Sequence, residues 1–436
     1  VSGDTQARAA RAVEEVARRL ADPARVAALT NADGNAMSPP GGTRSPWGGV
    51  ALSDGFPAVA LLFAELGAED PAFRRVAHAH LAACLSAPAP PPVPGLYGGP
   101  ACLAFAAHAA AAGSGAYRSL LDRLDATVAA LAARRVAADR ERLAAGLPIG
   151  SWAGYDVVSG ASGFGRLLLA RHGHARDPGV LGALEDALGL LAAVATAGDV
   201  EVGGVRVPAW WVRAGATGLP GEGAGHLNLG LAHGVGGPLA LLSLAWAAGV
   251  RVPRHEEAAH RVVLLLETWL RHDAAGPYWP HRLSLAQVAG RAPAPARLRD
   301  VWCYGSLGLA RALDLAGAAF GRPDWRDRAR EVLRAALAAA PGTPVHDAAL
   351  CHGWSGPLRV AGLMCPGPAA DALAARVLDA FEPAAPFAFR YRNPVLDLGA
   401  DRPGFLEGAA GIALALLAHA TGRPPRTPWD AALLLS

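Results

Sequence analysis

Lysine is absent from this chain of 436 residues, and all 40 of its basic side chains are arginine. With 37 acidic residues the formal net charge is only +3. The arginines are scattered among the carboxylates and form no stripe, so the electrostatic footprint of a nucleic-acid binder is missing. The missing lysine, together with the abundance of Ala and Pro, most simply reflects GC-rich coding. Charged residues make up 18% and aromatics 6% of the chain, and there are two methionines. Cysteine is scarce too. Five thiols, an odd number in a long chain, do not make a disulfide framework. Cys84 and Cys102 lie in apolar helical stretches and read as buried structural thiols. Cysteines that serve as thiolate ligands need a reducing compartment, which points to the cytoplasm. Val1 to Arg19 reads as a charged helix without the apolar centre of a signal peptide. The sole candidate membrane span, Asn228–Val250, is interrupted by Gly230, Gly234, Gly236, Gly237 and Pro238. It is expected to be a buried helix of a soluble protein, leaving no transmembrane segment.

What the chain does have is repetition. Five good copies of a Gly-x-x-Gly motif occur: Ser159-Gly160-Ala161-Ser162-Gly163, His233-Gly234-Val235-Gly236-Gly237, Tyr304-Gly305-Ser306-Leu307-Gly308, His352-Gly353-Trp354-Ser355-Gly356 and Glu407-Gly408-Ala409-Ala410-Gly411. Two weaker copies precede them, Asp54-Gly55-Phe56-Pro57-Ala58 and Gly98-Gly99-Pro100-Ala101-Cys102. Each opens an apolar stretch with little polar face, such as Leu239–Gly249 or Ile412–Ala420, expected to be a helix buried on most sides. Between them lie amphipathic helices, among them Pro71–Leu85, Tyr117–Val136, His255–His272, Asp324–Ala340 and Ala369–Phe381. Asp70-Pro71, Asp177-Pro178 and Pro323-Asp324 supply helix-start chemistry.

Seven buried helices alternating with seven amphipathic ones predict an all-α fold, a double-ring α/α toroid of inner and outer helices. The whole chain, 1–436, is expected to form a single domain. Glu201–Val207 and Ala209–Val212 around Pro208 predict a small β-hairpin insertion at about 199–213. Pro88–Pro94 reads as a rigid surface connection and Asn31–Pro46 as a polar loop.

In that architecture the side chains just before each glycine ring one mouth of the barrel. Cys303 stands two residues before Gly305, and Cys351 two before Gly353. Consecutive repeats are neighbours in a toroid, so these thiols are expected to face one another, with His352 beside them. Two Cys and one His suit a tetrahedral zinc with its fourth position open, the ligand set of a catalytic site. Singly, each of the three is more often a packed core residue, and the residues alone leave both readings open. His233 immediately precedes Gly234, Asp156 lies four before Gly160, and Arg299 four before Cys303, with Tyr304 next to it. A core histidine, a turn cap and a plain ion pair are the bland alternatives for the first three. Glu407 reads as a structural carboxylate. His172, His174, His226, His281 and His346 have no register argument and are taken as surface or structural. Trp210-Trp211 and Tyr278-Trp279-Pro280 could line a peptide groove or pack inside.

Trp302-Cys303-Tyr304-Gly305, Cys351-His352-Gly353, Ala232-His233-Gly234, Tyr155-Asp156 with Gly160-x-x-Gly163, and Phe405-Leu406-Glu407-Gly408 together resemble the lanthipeptide cyclases of the LanC-like family. The similarity runs from about Trp47 to the C-terminal Trp429-Asp430 and Leu433–Leu435. It implies the α/α toroid and one Zn²⁺ held by Cys303, Cys351 and His352. Proton transfer and substrate activation fall to His233, Asp156, Arg299 and Tyr304. The implied reaction joins a peptide cysteine to a dehydroalanine or dehydrobutyrine of a dehydrated ribosomal precursor peptide, closing a thioether ring. The implied partners are that precursor, a lanthipeptide dehydratase and an export transporter, in the cytoplasm at the inner membrane face. Two other functions fit the same resemblance, glutathione addition to dehydrated residues and a peptide-binding scaffold. Ala58 and Cys102, which stand where the second glycine belongs, depart from the pattern away from the site.

Overall fold

A computed structural model describes residues 2–37, 42, 45–88, 95–112, 114–175, 177–213, 223–342, 345–393 and 398–436. Most of the Pro88–Pro94 connection and part of the Asn31–Pro46 loop lie outside these residues. The helices are α1 (Ser2–Leu20), α2 (Pro23–Thr30), α3 (Phe56–Gly67), α4 (Pro71–Ser86), α5 (Pro100–Ala110), α6 (Arg118–Ala144), α7 (Ala161–Ala175), α8 (Pro178–Thr196), α9 (Gly236–Ala247), α10 (His255–Trp269), α11 (Leu285–Val288), α12 (Ser306–Ala319), α13 (Pro323–Ala339), α14 (Ser355–Met364), α15 (Pro368–Asp379) and α16 (Ala409–Thr421). Eight three-residue strands complete the set: β1 (Val200–Val202), β2 (Val205–Val207), β3 (His226–Asn228), β4 (Arg271–Asp273), β5 (Gly276–Tyr278), β6 (Arg282–Ser284), β7 (Tyr391–Asn393) and β8 (Leu398–Ala400). They form four separate antiparallel pairs, β1–β2, β3–β6, β4–β5 and β7–β8.

The chain divides into two compact units, residues 1–124 with 344–429, and residues 125–343 with 430–436. In the first, α3, α5, α14 and α16 are the apolar helices that follow the glycine motifs. They pack side by side in the order α14, α16, α3, α5, while α4 backs α3 and α15 backs α14. The backing helices bury one stripe only; in α4 it is Ala77, His80, Leu81 and Cys84, the spacing of one helical face. The outer partner of α16 is α1, which turns Ala9, Val13, Val16 and Leu20 inward. The seventh amphipathic helix is thus the first element of the chain.

The second unit repeats the scheme. Inner α7, α9 and α12 pack in that order, and each has the amphipathic helix that follows it, α8, α10 or α13, at its back. Helix starts follow the expected chemistry where an aspartate precedes the proline. Asp70 accepts the Ala72 N–H, and Asp177 accepts those of Gly179 and Val180. At α13 the N-cap is Arg322 instead, and Asp324 pairs with it inside the first turn.

Two expectations need correction. The β1–β2 hairpin closes tightly on Gly203-Gly204, both with positive φ (55° and 74°), a geometry suited to Gly-Gly two-residue turns. It therefore ends at Val207. Ala209–Val212 is buried, and Val212 bridges to Gly150 and His226. Asn228–Val250 is not one helix: it begins in β3, turns through the glycines, and leaves the 12 residues of α9, about 18 Å of helix, too short for a bilayer. Among the described residues one helix is long and apolar enough to cross a membrane, α8, and half of that stretch is buried in the protein.

The core is anchored by fully buried indoles. Trp211, Trp279 and Trp302 donate their N–H groups to the carbonyls of Ala224, Leu266 and Leu433, so each buries a large ring without stranding its polar atom. Trp210, Trp211, Tyr278 and Trp279 are thus packing residues. Cys84 and Cys102 are buried as expected. Burial pushes the Cys84 thiol up to about 11 and raises Cys102 further, which keeps both protonated and inert.

Candidate active site

Main-chain hydrogen bonds link one glycine motif to the next. In the second unit the Val157 N–H donates to the Ala232 carbonyl (2.9 Å), and the Ala232 N–H to the Cys303 carbonyl (3.2 Å). In the first, the Cys351 N–H donates to Leu406 (2.8 Å), Leu406 to Ser53 (3.2 Å), and the Leu52 N–H to Tyr97 (3.1 Å). Ser53, Tyr97, Ala232, Cys303, Cys351 and Leu406 all stand two residues before a motif glycine. The register seen in the sequence is therefore a hydrogen-bonding position, and the side chains it carries come in matching order.

The loops that present these residues fold back on themselves. A Cβ on Gly353 would lie 2.2 Å from the Ala349 nitrogen, closer than any side chain tolerates. Gly305 has φ of +89°, in the region that favours glycine. Aspartates tie the loops down: the Ser306 N–H donates to Asp300 (2.5 Å), and the Ala349 N–H to Asp347 (3.0 Å). Arg297, paired with Asp273 and Asp300, fixes the approach to Cys303. The sequence gives no direct cue to Asp300 or Asp347, although each lies within six residues of its motif glycine.

Cys303 is buried and Cys351 half-buried. Together with His352 they form a group that could hold a metal ion, with one ligand atom of each within 4.8 Å of the others. Two thiols and an imidazole are a donor set that suits zinc in kind. His352 Nε2 faces Glu407 at 3.5 Å. Glu407 also pairs with Arg402, and Arg402 with the buried Asp54. Burial opposes the Arg402 charge, but Asp54 and Glu407 outweigh it and raise its pKa. Glu407 is pushed up by burial against the pull of Arg402. Tyr391, its ring 5.9 Å from that of His352, is pushed up to about 12 by burial and by Glu407. The carboxylate in the seventh motif thus reaches the histidine of the sixth.

His233 and Asp156 meet directly, Nδ1 to Oδ2 at 2.6 Å. Asp156 is completely buried, and its other oxygen accepts the Ser159 N–H at 2.7 Å. It is both the turn cap and the histidine's partner. Trp152 stacks on the His233 ring with centroids 4.8 Å apart. Tyr304 is also near, 6.3 Å from His233 between ring centroids. Burial raises the Tyr304 pKa, against the pull of Arg282.

Arg299 enters through its carbonyl, which faces His281 Nε2 at 2.8 Å. The guanidinium that reaches the Tyr304 hydroxyl is that of Arg282, at 2.9 Å. His281 stacks on Tyr304, and burial lowers its pKa although the hydrogen bond to the Arg299 carbonyl and the neighbouring Cys303 work in the other direction. Trp152, Asn228, His281 and Arg282 are not singled out by motif register; the β3–β6 pairing that brings Asn228 and Arg282 together obeys no repeat.

The family model described as lanthionine synthetase C-like protein matches residues 46–434. The chain belongs to that family. Nisin biosynthesis protein NisC of Lactococcus lactis subsp. lactis is 26% identical over 141 residues, 32% of this chain and 33% of that protein. The matched stretch is thus about a third of that relative's length. A solved structure of nisin cyclase superposes with a TM-score of 0.71 at 20% identity, over 89% of this chain and 92% of that one. This likeness shows the fold of the LanC-like chain to be the α/α toroid expected from its repeats.

Proposed function

We propose that this LanC-like protein is a zinc-dependent cyclase, a single catalytic domain that forms lanthionine or methyllanthionine rings in a dehydrated precursor peptide. The observation that carries this reading is the group of two thiols and one imidazole at Cys303, Cys351 and His352, in a chain that matches the cyclase family over nearly its whole length. Zinc held by these three residues would leave a position for a peptide cysteine and favour its thiolate, lowering a thiol pKa that is ordinarily about 8.5.

The peptide cysteine releases its S–H proton to solvent, its sulfur forms a bond to the β-carbon of dehydroalanine or dehydrobutyrine, and the alkene's π electrons move onto the adjacent carbonyl as an enolate that takes one proton back at the α-carbon. His233 delivers a proton to the α-carbon from Nε2, while Nδ1–H remains bonded to Asp156. The buried Asp156 carboxylate holds Nδ1–H and fixes the ring. Arg299 and Tyr304 stabilise the enolate oxygen. Because the substrate must already contain an alkene, a dehydratase acts before this enzyme, and a transporter takes the product. Thiolate ligands need a reducing compartment, which suits a cytoplasmic setting beside the inner membrane face.

Zinc analysis of the purified protein, with free-thiol counting on a dehydrated precursor peptide, tests the proposal. The expected result is one zinc per chain, lost in Cys303→Ala, and thiols that disappear with no change in peptide mass. A zinc-free protein, or thiols left untouched, would refute it. Thiols consumed only when glutathione is added would transfer the reading to glutathione addition.

A further inference from the structure

The Tyr304 hydroxyl is held from two sides. Asn228 Nδ2 donates to it at 3.0 Å and an Arg282 guanidinium N–H at 2.9 Å. The two donors are delivered together because Asn228 and Arg282 are register partners in the β3–β6 pair. The side-chain oxygen of Asn228 accepts the Gly230 N–H at 2.9 Å, which turns the amide's NH₂ toward the phenol. The guanidinium also sits over the faces of Tyr304 and Trp152, 5.1 and 5.6 Å from their centroids, and His281 stacks on the Tyr304 ring at 5.4 Å.

A guanidinium and an amide NH₂ only donate, so neither partner can accept the phenol's proton. Two incoming N–H groups occupy the lone pairs of the oxygen. The Tyr304 O–H is therefore left to donate to a third group. His233, with its ring 6.3 Å away, is close enough to act on the same reacting unit. We infer that Asn228 and Arg282 are positioning residues that aim the Tyr304 O–H at the substrate, so that Tyr304 donates a hydrogen bond to the amide oxygen of the developing enolate. The inference rests on the cyclase reading and adds to it the two residues that set the direction of the proton.

Asn228→Asp tests this with almost no change of shape. The carboxylate still accepts the Gly230 N–H, but its second oxygen accepts the phenol's proton and draws it away from the substrate. The expected result is a fall in kcat of about 100-fold, comparable to that of Tyr304→Phe and typical of a lost oxyanion donor, with KM, zinc content and melting temperature close to wild type. Arg282→Gln should cost about 10-fold alone and less than about two-fold in the Tyr304→Phe background, because it acts through the hydroxyl that Phe removes. Arg282→Lys, which restores a charged donor, should recover part of the loss. Equal factors for Arg282→Gln in both backgrounds, or an Asn228→Asp protein with wild-type kcat, would overturn the inference alone. A wild-type protein that consumes no peptide thiols overturns the cyclase reading and this inference with it.

Discussion

Asp156→Asn replaces one buried oxygen by an NH₂ group and changes little else. Asp156 has two partners, the Ser159 N–H at 2.7 Å and His233 Nδ1 at 2.6 Å. An asparagine has one acceptor and must choose between them. The Ser159 amide can only donate, so the asparagine oxygen turns to it, and the NH₂ is left facing His233. Nδ1 must then accept, so the proton that Asp156 held there is displaced and the ring loses the hydrogen bond that orients it. A hydrogen bond to a charged group contributes about 1.5–3 kcal/mol, and each 1.4 kcal/mol is about a factor of 10. Cyclisation should slow by about 10- to 100-fold, with zinc content unchanged because neither residue is a proposed ligand. The assay is the rate of thiol loss from a dehydrated precursor under single-turnover conditions, beside zinc analysis of the same preparation. An Asp156→Asn protein that cyclises at the wild-type rate would remove the His233–Asp156 pair from the mechanism.

Glu407→Gln should weaken zinc binding by about 10- to 100-fold, the usual cost of losing a carboxylate behind a ligating histidine; competition with a chromophoric chelator measures it, and unchanged affinity would make Glu407 purely structural. Asp54→Ala leaves the buried Arg402 with Glu407 alone and should lower stability by about 3 kcal/mol, the lower end for a broken buried ion pair, read from urea unfolding; a loss below 1 kcal/mol would contradict it. His80 is buried against the Leu20 carbonyl, and burial lowers its pKa from 6.5 to about 4. Its contribution is complete above pH 6.5 and is lost as pH falls toward 4, because the unfolded chain binds the proton first; this amounts to about 3 kcal/mol. His80→Gln should therefore lose less stability than wild type between pH 7 and 4.5, and parallel curves would refute the assignment.

Much of this was legible in the sequence because it was written in repeats. The glycine motifs located the inner helices, their spacing put Cys303 and Cys351 in one register, and His233 with Asp156 fell at the same level. The outer helices were readable from their amphipathic stripes, although α1 closes against α16 from the far end of the chain, which no local pattern shows. The residues around Tyr304 were not legible. Asn228 and Arg282 meet through a three-residue strand pair too short to leave an alternating pattern, and the Arg299 carbonyl that faces His281 is a main-chain group with no sequence signal. The hairpin ends earlier than Pro208 suggests, because Gly203-Gly204 turns the chain first.

The links between motifs use only main-chain N–H and carbonyl groups. Ser, Tyr, Ala, Cys and Leu all occupy the position two residues before a motif glycine, so the scaffold does not dictate which side chain stands there. The positions two before the motif glycines behave as interchangeable sockets on a constant main-chain frame. A substitution at such a socket, at Ala232 or Leu406 for example, changes the side chain presented there and leaves the linking N–H and carbonyl groups in place.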